Sequence, residues 1–189
     1  MWTEEEINTY LKGILKESRY NHVINVKNTA MKLAEKYDVD MEKTKLAALC
    51  HDCAKNMTDK ELLNIIKEHN ITLSWIELKN IQITHGLVAS IIMREKMGIE
   101  DKDILNAVRY HTTGKNNMSM LEKIIYLADI IEPSRDFKGI EELRKLAFED
   151  LEEALIKSLN STIKYVIERG ELLHTNTVIA RNCLINDKM

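Results

Sequence analysis

Six side chains in this 189-residue sequence combine a metal-ligating type with a place near a helix end: His22, His51, Asp52, His85, His111 and Asp129. His51 and Asp52 are adjacent in the stretch LAALCHDCAKN from Leu46 to Asn56, where they end an apolar helical run and precede Lys55. Imidazole nitrogen with carboxylate oxygen suits iron, manganese, cobalt or zinc, and the lack of a thiolate set argues against a closed structural zinc site. A lone histidine at a helix end is more often a cap or a surface residue than a ligand; His69 is read that way, and His174 is also left out of the site. The other four gain weight from their company. Each falls near the start or end of a helical segment, where side chains from several helices can converge on one cleft. A helical step of about 100° separates His51 from Asp52, so the pair is expected to grip an ion from different sides rather than to face each other.

Helices must do the positioning. One proline and six glycines, with Leu, Ile, Ala, Lys and Glu at three-to-four spacing, predict helix almost throughout, and no stretch alternates as a strand does. The fold class expected is all-α, a helical bundle forming one domain over residues 1–189. Ser or Thr followed three residues later by Glu marks helix starts at Thr3/Glu6, Thr58/Glu61, Ser74/Glu77 and Ser119/Glu122. The pattern predicts helices over 3–16, 19–37, 40–54, 58–68, 74–79, 85–98, 101–111, 119–131, 150–169 and 176–184. Asp40 serves as a cap, Gly98 and Gly170 as stops, and Pro133 as a break. Residues 134–149 receive no element.

Composition narrows the function classes. A hydrophobic content of 44% is enough for a core without disulfides. The 27 basic and 30 acidic residues are interspersed, so no basic stripe exists to bind nucleic acid, and an anionic substrate must be held locally by a metal or a few Lys and Arg. The N-terminus MWTEEEINTYLK has no apolar signal segment, and no run approaches the ~18 apolar residues of a membrane span, so a cytoplasmic location is expected. Cys50, Cys53 and Cys183 are an odd count without a disulfide framework. The Cys50-x-x-Cys53 pair lacks a preceding strand and a second pair, so it reads as two small residues on a core face.

The ordered pattern H…HD…H…H…D on an all-helical chain resembles the HD superfamily of metal-dependent phosphohydrolases. Local wording is closer to one branch. Arg19-Tyr20-Asn21-His22-Val23, His51-Asp52-Cys53-Ala54-Lys55, His85-Gly86, Tyr110-His111-Thr112-Thr113-Gly114, and Tyr126-Leu127-Ala128-Asp129 running into Glu132-Pro133-Ser134-Arg135 are similar to the YqeK family, described as symmetrical bis(5′-nucleosyl)-tetraphosphatases. The resemblance spans about Arg19 to Arg135 and continues faintly to Ala180-Arg181-Asn182. It implies an HD-domain bundle whose motif-bearing core covers about 19–135, with the helices of 136–189 packed on it. It also implies an enzyme that splits diadenosine tetraphosphate into two ADP. His22, His51, Asp52 and Asp129 match the primary metal ligands. His85 and His111 match the histidines that hold a second ion, with Asp52 bridging, and the family suggests iron. Alternatives are another HD hydrolase, such as a nucleotidase or guanosine tetraphosphate hydrolase, or a non-catalytic nucleotide sensor. Whether one or two ions bind, and whether the chain forms a homodimer, stays open.

A polyphosphate resists attack, and a metal that lowers the pKa of bound water from about 15.7 toward ~7 supplies a nucleophile at neutral pH. In-line attack at an inner phosphorus, with ADP leaving, is the expected chemistry. Asp52 and Lys55 are the catalytic candidates, because Lys55 lies three residues on, near the same helical face, where it can neutralise or protonate the leaving phosphate. Arg135, just past Pro133, suits a bidentate phosphate contact. The hydroxyls and backbone of Thr112, Thr113 and Gly114 suit hydrogen bonds to substrate, with Arg109 and Arg181 as weaker candidates. The adenines need aromatic faces, and aromatics make up only 5% of the chain. Tyr110 and Phe137 lie near the motifs but are assigned to the core.

Overall fold

Helix starts follow the capping signatures. In the computed structural model, which describes residues 1–188, the helices are α1 (Glu4–Ile14), α2 (Glu17–Lys36), α3 (Met41–Cys50), α4 (Asp59–Glu68), α5 (Trp75–Lys79), α6 (His85–Met97), α7 (Lys102–Tyr110), α8 (Met120–Ile131), α9 (Ile140–Glu149), α10 (Leu151–Glu168) and α11 (Thr175–Asn186), with a 3-10 turn at Ile81–Thr84. The hydroxyls of Thr3, Thr58, Ser74 and Ser119 accept from the N–H of the glutamate three residues on, and each glutamate bonds back to the cap's backbone. Asp40, Asp101 and Asp150 cap α3, α7 and α10 with their carboxylates. Gly98 ends α6 in the left-handed conformation, at φ 66°. The described residues contain no strand, so the all-α expectation holds.

Two elements differ from the sequence reading. α3 stops at Cys50, short of the expected end at Ala54. Beyond it the N–H groups of Cys53, Lys55 and Met57 donate to the carbonyls of Cys50, Asp52 and Ala54, closing four-residue turns. The His51 imidazole takes the Ala48 carbonyl that a continuing α-helix would have used. The second difference is α9, which fills part of the segment left without an element. Gly139 precedes it at φ 88° and gives no side-chain cap, so no start signal is written there; its buried face is only Ile140, Leu143 and Ala147.

Packing gathers the site among five helices. α2, α3, α7 and α8 pack on one another, α6 lies against α7, and α10 covers α8 and α9 with α11 beyond it. α8 is the axis: Leu121, Ile124, Ile125, Leu127, Ala128 and Ile131 are all buried. Each such Leu or Ile contributes about 1.5–3 kcal/mol, and Leu127→Ala would cost ~2–5 kcal/mol once the cavity is included. Cys50 and Cys53 are free and buried, with the Cys50 sulfur 3.7 Å from that of Met97, as the core reading expects. No helix among the described residues is long and apolar enough to cross a membrane.

Candidate active site

Five helices deliver the six predicted metal-site residues to one place. His22 lies in the second turn of α2, His51 and Asp52 directly after α3, His85 at the start of α6, His111 just past α7, and Asp129 in the last turn of α8. Asp52 is the hub. Its Oδ1 is 3.1 Å from His85 Nε2 and 3.6 Å from His111 Nε2, while its Oδ2 is 3.5 Å from His51 Nε2 and 3.7 Å from His22 Nε2. Asp129 Oδ1 is 3.0 Å from His22 Nε2, and the Nε2 atoms of His85 and His111 are 3.0 Å apart. His51 Nε2 and Asp52 Oδ2 thus come within 3.5 Å of one another although the two residues are sequence neighbours, closer than the sequence reading expected.

Gly86 permits the approach of α6 to α7. A Cβ there would lie 2.8 Å from the Val108 carbonyl and 2.9 Å from that of Arg109, so any side chain would push His85 away from His111.

The proton positions follow from the acceptors. Nδ1 of His51, His85 and His111 lies 2.7, 2.6 and 2.7 Å from the carbonyls of Ala48, Gln82 and Val108, and Nδ1 of His22 lies 3.1 Å from the Glu132 carboxylate. Carbonyls and ionised carboxylates only accept, so each Nδ1 carries a proton and each Nε2 points inward, where a neutral ring presents a lone pair and a charged ring a donor to the carboxylates. The buried Nε2 atoms of His22 and His51 have no hydrogen-bond partner. With neutral rings, lone pairs face two carboxylates and each other, an arrangement that a cation, a metal ion or a proton, relieves. Two donor sets, His22–His51–Asp129 and His51–Asp52–His111, each have their ligand atoms within 4.8 Å of one another. Oriented nitrogen and carboxylate oxygen fit a divalent transition ion.

Electrostatics keep the carboxylates ionised. Burial opposes charge on Asp52, but His51, His111 and His85 outweigh it and hold the carboxyl well below its usual range. For Asp129, burial is likewise outweighed, by His22 and His51 with help from Arg135. Burial lowers His85; at His51 burial is overcome by Asp52 and Asp129, and the imidazole is raised.

Cations ring the opening. Arg19 Nη1 is 2.9 Å from Asp52 Oδ2, and Arg135 reaches Asp129 Oδ1 through Nη2 at 2.6 Å and the Asp129 carbonyl through Nε at 2.9 Å. Both line a mouth of about 210 Å³ with Ser18, His22, Glu132 and Ser134. Lys55 is half-buried and makes no ion pair among the described residues; burial pushes its ammonium below the ordinary value.

Three contributors escaped the sequence reading. Arg19 stands three residues before His22, a spacing that could have revealed it. Glu132 is fully buried and accepts from His22 Nδ1, from the Ser134 N–H at 2.7 Å and from the Ser134 hydroxyl. Arg144, on α9, donates to the carbonyls of Ile131, Glu132 and Arg135 and so fixes the turn that carries Glu132 and Arg135.

The expected substrate contacts are dispersed. Thr112 joins the cluster, its hydroxyl 3.2 Å from His111 Nε2 and 3.4 Å from His85 Nε2. Thr113 donates to the Gly114 carbonyl and lines, with Arg109, Tyr110 and His174, a separate cleft of about 130 Å³. Gly114, at φ 65°, is packed so closely that a Cβ would meet Ala180 at 2.9 Å. Arg109 stacks on Tyr110, and Arg181 bonds Asn160 and Asn182. The core assignment of two aromatics is corrected: Tyr110 is only half-buried, and Phe137 is 40% exposed.

This helical bundle with its His and Asp cluster places the chain in the HD domain family, to which it belongs through a match over residues 19–134. It is 38% identical over 182 residues, covering 96% of this chain and 97% of the relative, to the symmetrical bis(5′-nucleosyl)-tetraphosphatase of Bacillus subtilis. It is 41% identical over 175 residues, 93% of each chain, to the protein of the same description from Halalkalibacterium halodurans. A crystal structure described as that of a predicted HD superfamily hydrolase involved in NAD metabolism, from Clostridium acetobutylicum, matches with a TM-score of 0.96 at 47% identity, covering 99% of each chain.

Proposed function

We propose that this protein is a metal-dependent hydrolase that cleaves diadenosine tetraphosphate symmetrically into two ADP. The observation that carries the reading is the inward aim of four imidazole Nε2 atoms at Asp52 and Asp129, in a chain matching relatives of that description over more than 90% of its length. His22, His51, Asp52, His85, His111 and Asp129 would hold the metal. The two overlapping donor sets support a two-ion site, and iron is favoured, with manganese, cobalt and zinc compatible with the same donors.

A divalent ion bound there supplies an activated water at neutral pH and neutralises phosphoryl oxygens. The chain's own groups do the rest. Arg19 and Arg135 each spend only part of a five-donor guanidinium on the aspartates, which leaves N–H groups for phosphate at the mouth they line. Lys55, its pKa lowered by burial, gives up a proton more readily than an exposed lysine and suits protonation of the leaving ADP. The Thr112 hydroxyl beside His85 and His111 can donate to a phosphoryl oxygen, and Arg109 and Thr113 line a cleft suited to more distant phosphates. The close packing of Gly114 and the amide contacts of Arg181 favour structural roles for both.

Product analysis tests the reading. Iron- or manganese-loaded protein given diadenosine tetraphosphate should yield ADP alone, and Asp52→Ala should yield none. AMP plus ATP would overturn the cleavage position. No product with any metal would shift the weight to another nucleotide or to a non-catalytic sensor.

A further inference from the structure

We infer that the groove between α8, α9 and α10, beside the turn from Pro133 to Phe137, receives one nucleoside of the substrate, with Phe137 and Tyr165 stacking on its base. The inference rests on the dinucleotide reading for the identity of the ligand.

Continuity is the first argument. Ser134 and Arg135 line both this groove and the mouth over the metal cluster, and Arg135 also holds Asp129. A phosphate chain anchored at the cluster and followed past Arg135 enters the groove. Size agrees, since its volume of about 700 Å³ lies within the roughly 300–1,000 Å³ of small-molecule sites.

Surface chemistry is the second argument. The chain has two phenylalanines and six tyrosines, yet one of each, Phe137 at 40% exposure and Tyr165 at 58%, lines this single groove. Arg169 stacks on one face of the Tyr165 ring at 5.4 Å, an arrangement that leaves the opposite face for a base. Exposed aromatic faces are what unstacked bases bind. In the same wall Ser158 and Thr162 lie beside the buried Tyr126 hydroxyl. Asp136, on the rim, offers an acceptor to ribose hydroxyls.

Calorimetric titration of the manganese-loaded protein with ADP, and with methyl diphosphate as a base-free analogue, tests the assignment. Phe137→Ala and Tyr165→Ala should each raise the Kd for ADP about tenfold, leave that for methyl diphosphate unchanged, and Tyr165→Phe should keep wild-type affinity for ADP. Unchanged ADP binding in both alanine variants overturns the inference. So does equal weakening of both ligands, which would report damage to the site rather than loss of base recognition. Turnover of diadenosine tetraphosphate with undiminished ADP binding in the variants sinks the groove alone. A wild-type protein that binds ADP through these aromatics but turns nothing over supports the groove and sinks the hydrolase reading.

Discussion

Glu132→Gln is the sharpest probe of how the proposed metal site is oriented. Glutamine keeps the shape of a fully buried side chain that accepts from His22 Nδ1 at 3.1 Å and from two donors of Ser134. Its amide has two orientations. With the oxygen toward Nδ1–H, the NH₂ meets the Ser134 N–H, donor against donor. Turned over, the NH₂ faces Nδ1, which must then shed its proton, and the proton moves to Nε2. The metal-free variant settles in the second state, with Nε2–H donating to Asp129 at 3.0 Å. Binding an ion through Nε2 must drive it back to the first, at the ~1–3 kcal/mol cost of a buried unsatisfied donor. That is roughly 5- to 150-fold in affinity, bracketing the ~10–100-fold typical of lost partners behind metal-bound histidines. Competition for Mn²⁺ against a chromogenic chelator reads the affinity, and far-UV circular dichroism of the metal-free variant checks the fold. Affinity within about twofold of wild type would refute the tautomer argument.

Other substitutions separate chemistry from architecture. Lys55→Met should lower kcat by ~10²-fold or more with little change in metal affinity, and an unaltered turnover number removes Lys55 from the mechanism. Gly86→Ala should destabilise the protein by ~1–3 kcal/mol and weaken metal binding together, since its Cβ would strike the Val108 and Arg109 carbonyls; a variant with wild-type melting and affinity would show that α6 and α7 have room to part. Asp101 gives a pH test. Lys43 holds its carboxyl below the ordinary value against the opposing effect of burial, aided by the N–H groups of Ile104 and Asp103. A depressed carboxyl stabilises fully above its unfolded value near ~4 and loses that contribution as pH falls through the folded value. Asp101→Asn keeps a cap, so it should cost under ~1 kcal/mol at neutral pH and nothing once the pH has fallen below the folded value. Urea midpoints at both pH values measure this, and a pH-independent deficit would contradict it.

What was legible in the sequence was local. Capping boxes at Thr3, Thr58, Ser74 and Ser119 depend on residues three apart, and all four form. The order of His22, His51, Asp52, His85, His111 and Asp129 was readable because few residue types can bind a metal, whatever the packing that gathers them. The rest depends on tertiary contact. Nothing near Glu132 in sequence announces a bond to His22, 110 residues away. α9 begins at a glycine with no capping side chain, yet its Arg144 fixes the turn of Glu132 and Arg135. Phe137 looked like core because aromatics usually are; only the course of that turn leaves it facing solvent.

Three of the four imidazoles are aimed by carbonyls three residues earlier in their own turns, those of Ala48, Gln82 and Val108. A carbonyl persists whichever side chain evolves at its residue, so these three arms are insulated from mutation one sphere out. The fourth, His22, depends on a side chain that one codon change can alter. Lineages adapting this centre to a different ion, or a directed library seeking the same end, therefore have one adjustable arm, at position 132, and three that inheritance holds fixed.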